Sequence, residues 1–435
     1  MLKSFAKFIA LNLLRLVGNP KRLRRLGEPI FWLAGFRRPA GPSRTPANVA
    51  VIKLDRLGDV VLCSHLLAEL RRAWPKSRIT LFVRESLVDL ARLCPDVDEV
   101  IGVPVDEGSM LFDPHSGEYR GWKQQLGHWL VFCHQRRLWK KCFDVALVPR
   151  WETDYYGAIP LAHLIGAPRR WGVTEAATSG KAVANRGFDQ LLTNVITGRN
   201  VRHDFLLNET FLHALGIEST GSRNLIPWVM ESDRKKAADI MEEAGVDSSK
   251  SSVVLCMGAG WQRKVWPVEC YARLCSVMFD LGKVQFATFG TAAETKLGME
   301  LKKMLGSAVI NLEGKLPLNL LPAAVSLGAL YIGSDTGTMH LAVAAGLPVF
   351  EICCHPLNGD ACWPESPLRF GPWGVPNRVV QPEKAAAPCG KYCAAEESHC
   401  ILGVTVERSA IALRSLLEQT GMGNLCAVDH ECKTA

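Results

Sequence analysis

The chain has 435 residues, 48% of them apolar and 22% charged, an ordinary globular composition and more chain than one hydrophobic core organises. Its formal net charge of +8 is local: residues 1–40 hold nine Lys or Arg (Lys3, Lys7, Arg15, Lys21, Arg22, Arg24, Arg25, Arg37, Arg38) against Glu28, and the rest balances at 42 basic and 42 acidic. A balanced body argues against nucleic-acid binding, and no run approaches the roughly 18 uncharged apolar residues of a membrane span.

At the N-terminal end Leu2, Phe5, Ala6, Ile9, Leu13, Leu16 and Val17 share one helical face, with Lys3, Ser4, Lys7 and Arg15 largely opposite. Two readings stay open: residues 1–25 lie on an anionic membrane surface, or the helix packs on the protein's own surface. Lys7 and Arg15 confine the uncharged run to residues 8–14, which argues against a secretory signal. Most of the 15 cysteines, including Cys63, Cys256, Cys270, Cys275, Cys353 and Cys354, stand in apolar segments, as expected of small hydrophobes in a reducing, cytoplasmic compartment.

After a Pro-, Gly- and Ser-rich linker at 39–46, strands and helices alternate. Strands are predicted at 49–54, 78–83, 97–103 and 143–148, with helices at 60–74, 86–93 and 122–142 between them. The pattern restarts with a helix at 232–244. Strands follow at 253–257, 284–289, 308–312, 329–332 and 348–353, with helices at 266–281, 339–345 and 404–417. Such alternation predicts two doubly wound, Rossmann-like α/β domains facing across a cleft. The expected layout is a basic extension at 1–47, a first α/β domain at 48–230 and a connecting helix and linker at 231–250. A second α/β domain at 251–385 and a cysteine-bearing tail with a helix at 386–435 complete it.

Candidate chemistry follows strand ends. Asp59, in the turn after the first strand and beside Gly58, is placed to act as a general base or simply to cap the next helix. The turn Gly258-Ala259-Gly260-Trp261-Gln262-Arg263-Lys264 offers backbone N–H groups and one mobile positive charge to a diphosphate, although Lys264 alone reads equally as a solvated loop lysine. Arg263 stands where a dinucleotide fingerprint needs its third glycine, which disfavours a nucleotide-dependent oxidoreductase. The turn Ser334-Asp335-Thr336-Gly337 leads into a helix beginning Thr338-Met339-His340, another anion site in which Asp335 either holds sugar hydroxyls or caps the helix. Glu294, four residues past Gly290, is either a ribose ligand or a helix-cap acid. Cys389-x3-Cys393-x6-Cys400 is the best metal candidate, with His399, Cys362 or Cys426 available as a fourth ligand. Its spacing departs from common zinc sites, so the thiols are taken as free and no metal or cofactor is assigned.

Several of these segments together resemble a family. Residues 51–61 (VIKLDRLGDVV), 71–75 (RRAWP) and 95–100 (PDVDEV), then 264–267 (KVWP), 311–315 (NLEGK) and 335–342 (DTGTMHLA), resemble the lipopolysaccharide heptosyltransferases, glycosyltransferase family nine. The resemblance implies a B-type glycosyltransferase fold, an ADP-heptose-like donor, inversion at the anomeric carbon, no catalytic metal, and a lipid-linked core oligosaccharide as acceptor at the inner face of the inner membrane. It implies Asp59 as base, Lys264 as the charge facing the departing diphosphate, and Glu294 on the nucleoside. Gly258, Gly260, Trp261, Asp335, Thr336, Gly337 and His340 would complete the donor site, and Arg56 and Arg150 would contact the acceptor. It also implies a terminal helix returning to the first domain. The basic extension, the insertion at 106–120 and the cysteine tail depart from the family pattern and leave two alternatives: a family member acting on another glycan, and a membrane-associated sugar-nucleotide-binding protein without transferase activity.

Overall fold

The computed structural model describes residues 45–105, 141–197, 203–222, 224–363 and 365–427, which divide into two compact units between Gly221 and Ser222. The basic amphipathic segment at 1–25, the insertion at 106–120 and residues 122–140 of the expected aromatic and basic helix lie outside the described residues.

The first unit carries a parallel sheet of β1 (Asn48–Ile52), β2 (Arg78–Arg84), β3 (Glu99–Val103), β4 (Val145–Val148), β5 (Arg169–Val173) and β6 (Asn194–Ile196) in the order β3-β2-β1-β4-β5-β6. β1 is central because its Val49, Ala50, Val51 and Ile52 are apolar on both faces and buried at no more than 1% exposure. Val51 pairs with Leu81 on one side and Leu147 on the other. Sequence reading finds neither β5 nor β6. In β5 the strand signal is hidden by Arg170, which is buried with its guanidinium donating to the carbonyls of Leu191 (2.5 Å) and Ala167 (2.6 Å). The single helix expected at 60–74 is two, Leu57–Leu62 and Ser64–Ala73, and at the joint the Asn208 amide donates to the Leu62 carbonyl at 2.7 Å.

The second unit repeats the plan with β7 (Ser251–Cys256), β8 (Val284–Thr288), β9 (Val309–Asn311), β10 (Leu330–Gly333), β11 (Val349–Ile352) and β12 (Asn377–Val380), all parallel, in the order β12-β11-β10-β7-β8-β9. In both sheets the first strand of the unit lies beside the fourth, so the winding reverses between β1 and β4 and between β7 and β10. A crevice opens beyond the carboxyl ends of strands at such a point, and open α/β sheets bind ligands there.

The helix Val406–Gln419 belongs to the second unit. Leu413, Leu416 and Leu417 are fully buried in the second unit's core, where the helix packs on helix Val268–Met278 and on β12. Its apolar stripe is matched by Leu274, Cys275 and Met278, buried in the same core, and that match fixes where it docks. No helix among the described residues is long and apolar enough to cross a membrane.

Candidate functional site

In the second unit the turns leaving β7 and β10 meet at the reversal point. β10 pairs with β7 through Gly333 and Cys256, close enough that a Cβ on Gly333 would strike the Cys256 carbonyl. Beyond them the Ser334 hydroxyl donates to the Gly258 carbonyl at 3.3 Å, tying the two turns together. Tyr331 braces the second turn, its hydroxyl donating to the Ser334 carbonyl (2.8 Å) and lying 3.2 Å from Thr336 Oγ1.

Lys264 and Asp335, 71 residues apart in the chain, form the charged centre: Lys264 Nζ lies 2.6 Å from Asp335 Oδ2, with both side chains mostly buried. His340 Nε2 stands 3.6 Å from the other carboxylate oxygen, while its Nδ1 is buried without a partner among the described residues. Burial alone would raise the Asp335 carboxyl, but Lys264 and His340 outweigh it and hold it well below the usual carboxylate range. Burial would likewise lower the Lys264 ammonium, and Asp335 carries it above its ordinary value. Asp335 therefore spends its carboxylate on Lys264 and does not cap the following helix. That helix, Gly337–Ala344, starts at Thr336 with no side-chain cap, so no side chain among the described residues satisfies the backbone N–H groups of its first turn.

Beneath this pair lies Glu351, which sequence reading missed. It sits in β11 opposite Gly333, is fully buried, and neither carboxyl oxygen has a hydrogen-bond partner among the described residues. Burial pushes it up to about 8, and the nearby Asp335 charge adds to the effect, so Glu351 is mainly neutral at pH 7. A carboxylate in mid-strand carries no sequence signature beyond its being polar in an apolar run.

Glu294 comes to the same end of the sheet from β8. Its Oε2 accepts from the Thr291 N–H (2.6 Å) and hydroxyl (2.9 Å) in a capping box. Its other oxygen lies against Gly258, where a Cβ would collide with the carboxylate. Gly258 is thus a glycine because Glu294 occupies the space beside it. Gly260 and Trp261 continue the same turn, and the Arg263 guanidinium stacks over the Trp261 ring at 4.7 Å. Arg263 also donates twice to Glu365 Oε1, at 2.8 and 2.5 Å, a buried pair that no local pattern announces because 102 residues separate its members.

In the first unit Asp59 occupies the first turn of helix Leu57–Leu62, after β1. It is half-buried, its carboxylate makes no hydrogen bond or ion pair among the described residues, and it does not cap the helix, whose N-cap is Arg56. Arg150 follows β4 and is bound by Asp55, with its Nε donating to the Thr153 carbonyl at 2.7 Å. Asp55 also pairs with buried Lys53 at 3.2 Å, and Lys181 Nζ reaches the Arg150 carbonyl at 2.9 Å. Asp59 and Arg150 therefore stand at the first unit's reversal point, as Lys264 and Asp335 do in the second.

Residues 209–398 match the model of glycosyltransferase family 9 (heptosyltransferase). Similarity extends over more of the chain: it is 24% identical over 359 residues to lipopolysaccharide heptosyltransferase 1 of Pseudomonas aeruginosa, covering 79% of this chain and 86% of that protein. The chain is similar to the heptosyltransferases of glycosyltransferase family 9. Its fold is that of family members with solved structures. A family 9 glycosyl transferase from Veillonella parvula superposes with a TM-score of 0.65 at 21% identity, over 86% of this chain and 98% of that one. The Escherichia coli heptosyltransferase WaaC with ADP does so with a TM-score of 0.58 at 15% identity, over 86% and 99%. The chain accordingly has the B-type architecture, and its two reversed sheets are the two Rossmann-like halves of that fold.

Proposed function

We propose that the chain transfers a heptose from an ADP-heptose-like donor to a lipid-linked core oligosaccharide, with inversion at the anomeric carbon. The observation that carries the donor half is the second unit's reversal point, where the turn carrying Gly258 and Lys264 is tied to the turn that leads into the uncapped start of helix Gly337–Ala344. The ADP bound to the similar WaaC structure supports a nucleoside diphosphate there.

In this reading the diphosphate lies over the Gly337 and Thr338 N–H groups. Lys264, whose ammonium has three donors, holds Asp335 with one and faces the departing phosphate with another. Asp335, kept ionised by Lys264, accepts from sugar hydroxyls and sets the orientation of the anomeric carbon. The free side of Glu294, opposite its capping-box oxygen, accepts from the ribose. Neutral Glu351 matters here: ionised, it would place a second negative charge beneath the site of the diphosphate.

Asp59 serves as the base. An acceptor hydroxyl gives its proton to the carboxylate as its oxygen bonds to the anomeric carbon, the bond to the diphosphate breaks, and the electron pair leaves with ADP. Arg56 and Arg150 are assigned to the acceptor's acidic groups, Arg150 through the face that Asp55 does not cover. Lys264 and the helix start supply the positive charge, so the proposed reaction uses no catalytic metal. The basic residues 1–25 would hold the enzyme on the anionic membrane where such acceptors reside.

Calorimetric titration with ADP, UDP and GDP tests the donor assignment. ADP should bind at least about tenfold more tightly than the other two, a difference of about 1.4 kcal/mol. Equal affinity for all three would remove the ADP-sugar reading.

A further inference from the structure

Between β12 and helix Val406–Gln419 the chain forms a compact segment without strands, and it brings Cys389, Cys393, His399 and Cys400 together. One ligand atom from each lies within 4.8 Å of all the others. Cys389 Sγ and Cys400 Sγ are each 3.6 Å from His399 Nδ1. A tetrahedral zinc ion, with bonds of about 2.3 Å to sulfur and about 2.0 Å to nitrogen, sets its sulfur and nitrogen ligands about 3.5 Å apart and its sulfurs about 3.8 Å apart. The two histidine distances already match, and the widest pair needs a contraction of about one ångström.

The surroundings are those of a metal thiolate cage. All three cysteines are free thiols, Cys393 and Cys400 are each only 1% exposed, and the Ala394 N–H donates to Cys389 Sγ at 3.4 Å. The segment is also tied to the turn that carries Lys264. The Ser398 hydroxyl lies 3.1 Å from the Gln262 carbonyl and 2.7 Å from that of Val265, and the Trp266 indole donates to the Val404 carbonyl at 2.9 Å. On the other flank Tyr392 stacks on Trp363 at 3.6 Å, and the Asp360 N–H donates to the Lys391 carbonyl at 2.8 Å.

We infer that Cys389, Cys393, His399 and Cys400 bind one thiophilic divalent ion, of the class of zinc, as a structural centre that fixes the segment supporting the Lys264 turn. Three thiolates and one imidazole are soft and borderline donors that select such an ion over magnesium or calcium. Four protein ligands leave no open position for substrate, so the ion holds the fold together and takes no part in sugar transfer. Binding releases the three thiol protons and leaves His399 neutral, with its Nδ1 lone pair on the metal.

The test is metal content, which does not depend on transferase activity. The full chain, purified with reductant and without chelator, should carry about one zinc ion per chain by plasma mass spectrometry. His399→Ala and Cys400→Ser should lose it, while His399→Cys and Cys362→Ser, a change at an exposed cysteine outside the cage, should keep it. Cobalt exchanged into the wild type should give thiolate charge-transfer bands and the intense visible bands of a tetrahedral ion. One equivalent of iron in place of zinc supports the same cage. The inference falls if the reduced wild type holds no stoichiometric metal even after zinc is added, if a disulfide joins two of the three cysteines under reductant, or if His399→Ala and Cys400→Ser retain the ion undiminished.

Discussion

Lys264 and Asp335 meet at 2.6 Å across the point where the second sheet reverses its winding, so the positive charge of the β7 turn and the negative charge of the β10 turn neutralise each other inside the fold. The pair holds the site's shape and its electrostatics at once. Removing one partner leaves the other charged and desolvated, which costs about 3–5 kcal/mol. Lys264→Met should therefore lower unfolding stability by about that amount, and Lys264→Met combined with Asp335→Leu should recover a large part of it. Denaturant unfolding of the wild type and these two variants decides this; a single mutant as stable as the wild type would mean that Asp335 is satisfied without Lys264.

Glu351 gives the pH dependence. Its carboxyl is raised in the folded protein to about 8 from an unfolded value of 4.5. The folded state thus binds the extra proton between these values. Its contribution to stability is fully present below the unfolded pKa and is lost as pH rises through the folded one. Stability should decline from about pH 5 to pH 9 and ADP affinity only as pH rises through about 8, and Glu351→Gln should flatten part of both declines, because its amide cannot ionise. Thermal unfolding and ADP titration across that range measure it; parallel wild-type and variant curves would contradict the assignment.

Gly258 tests the packing between two turns. An added methyl group meets the Glu294 carboxylate, so Gly258→Ala should cost about 1–3 kcal/mol by overpacking or by expelling Glu294 from its capping box. The double variant Gly258→Ala, Glu294→Ala should be more stable than the sum of its single changes predicts. Strict additivity in thermal unfolding would show that the two residues do not compete for the same space.

Much of this architecture is legible in the sequence, for a physical reason. β1, β7 and β10 are buried on both faces and read as short apolar runs, and the functional turns follow them directly. β5 and β12 escape because polar residues interrupt them: Arg170 is buried with its guanidinium on two backbone carbonyls, and Asn377 and Arg378 lie on an edge strand. Lys264 and Asp335 are each visible as residues of suitable type at strand ends, but their pairing depends on β7 lying beside β10. Glu351 and the Arg263–Glu365 pair are invisible because burial, not spacing, gives them their properties. His399 joins the three cysteines only once the segment folds back on itself, so a search by spacing leaves it one name among several.

Asp59 is proposed as the base of a sugar transfer from a nucleoside diphosphate donor. Its half-buried carboxylate, unengaged among the described residues and placed in the first turn after β1, suits that role. The most direct measurement is ADP release from ADP-heptose in the presence of a heptose-free lipopolysaccharide core, followed for the wild type and Asp59→Asn, with ADP affinity measured for both. Expected are turnover by the wild type, a loss of about 10²–10⁴-fold in Asp59→Asn, and ADP affinity unchanged within about twofold. Full turnover in Asp59→Asn, or turnover and ADP affinity lost together, would contradict it.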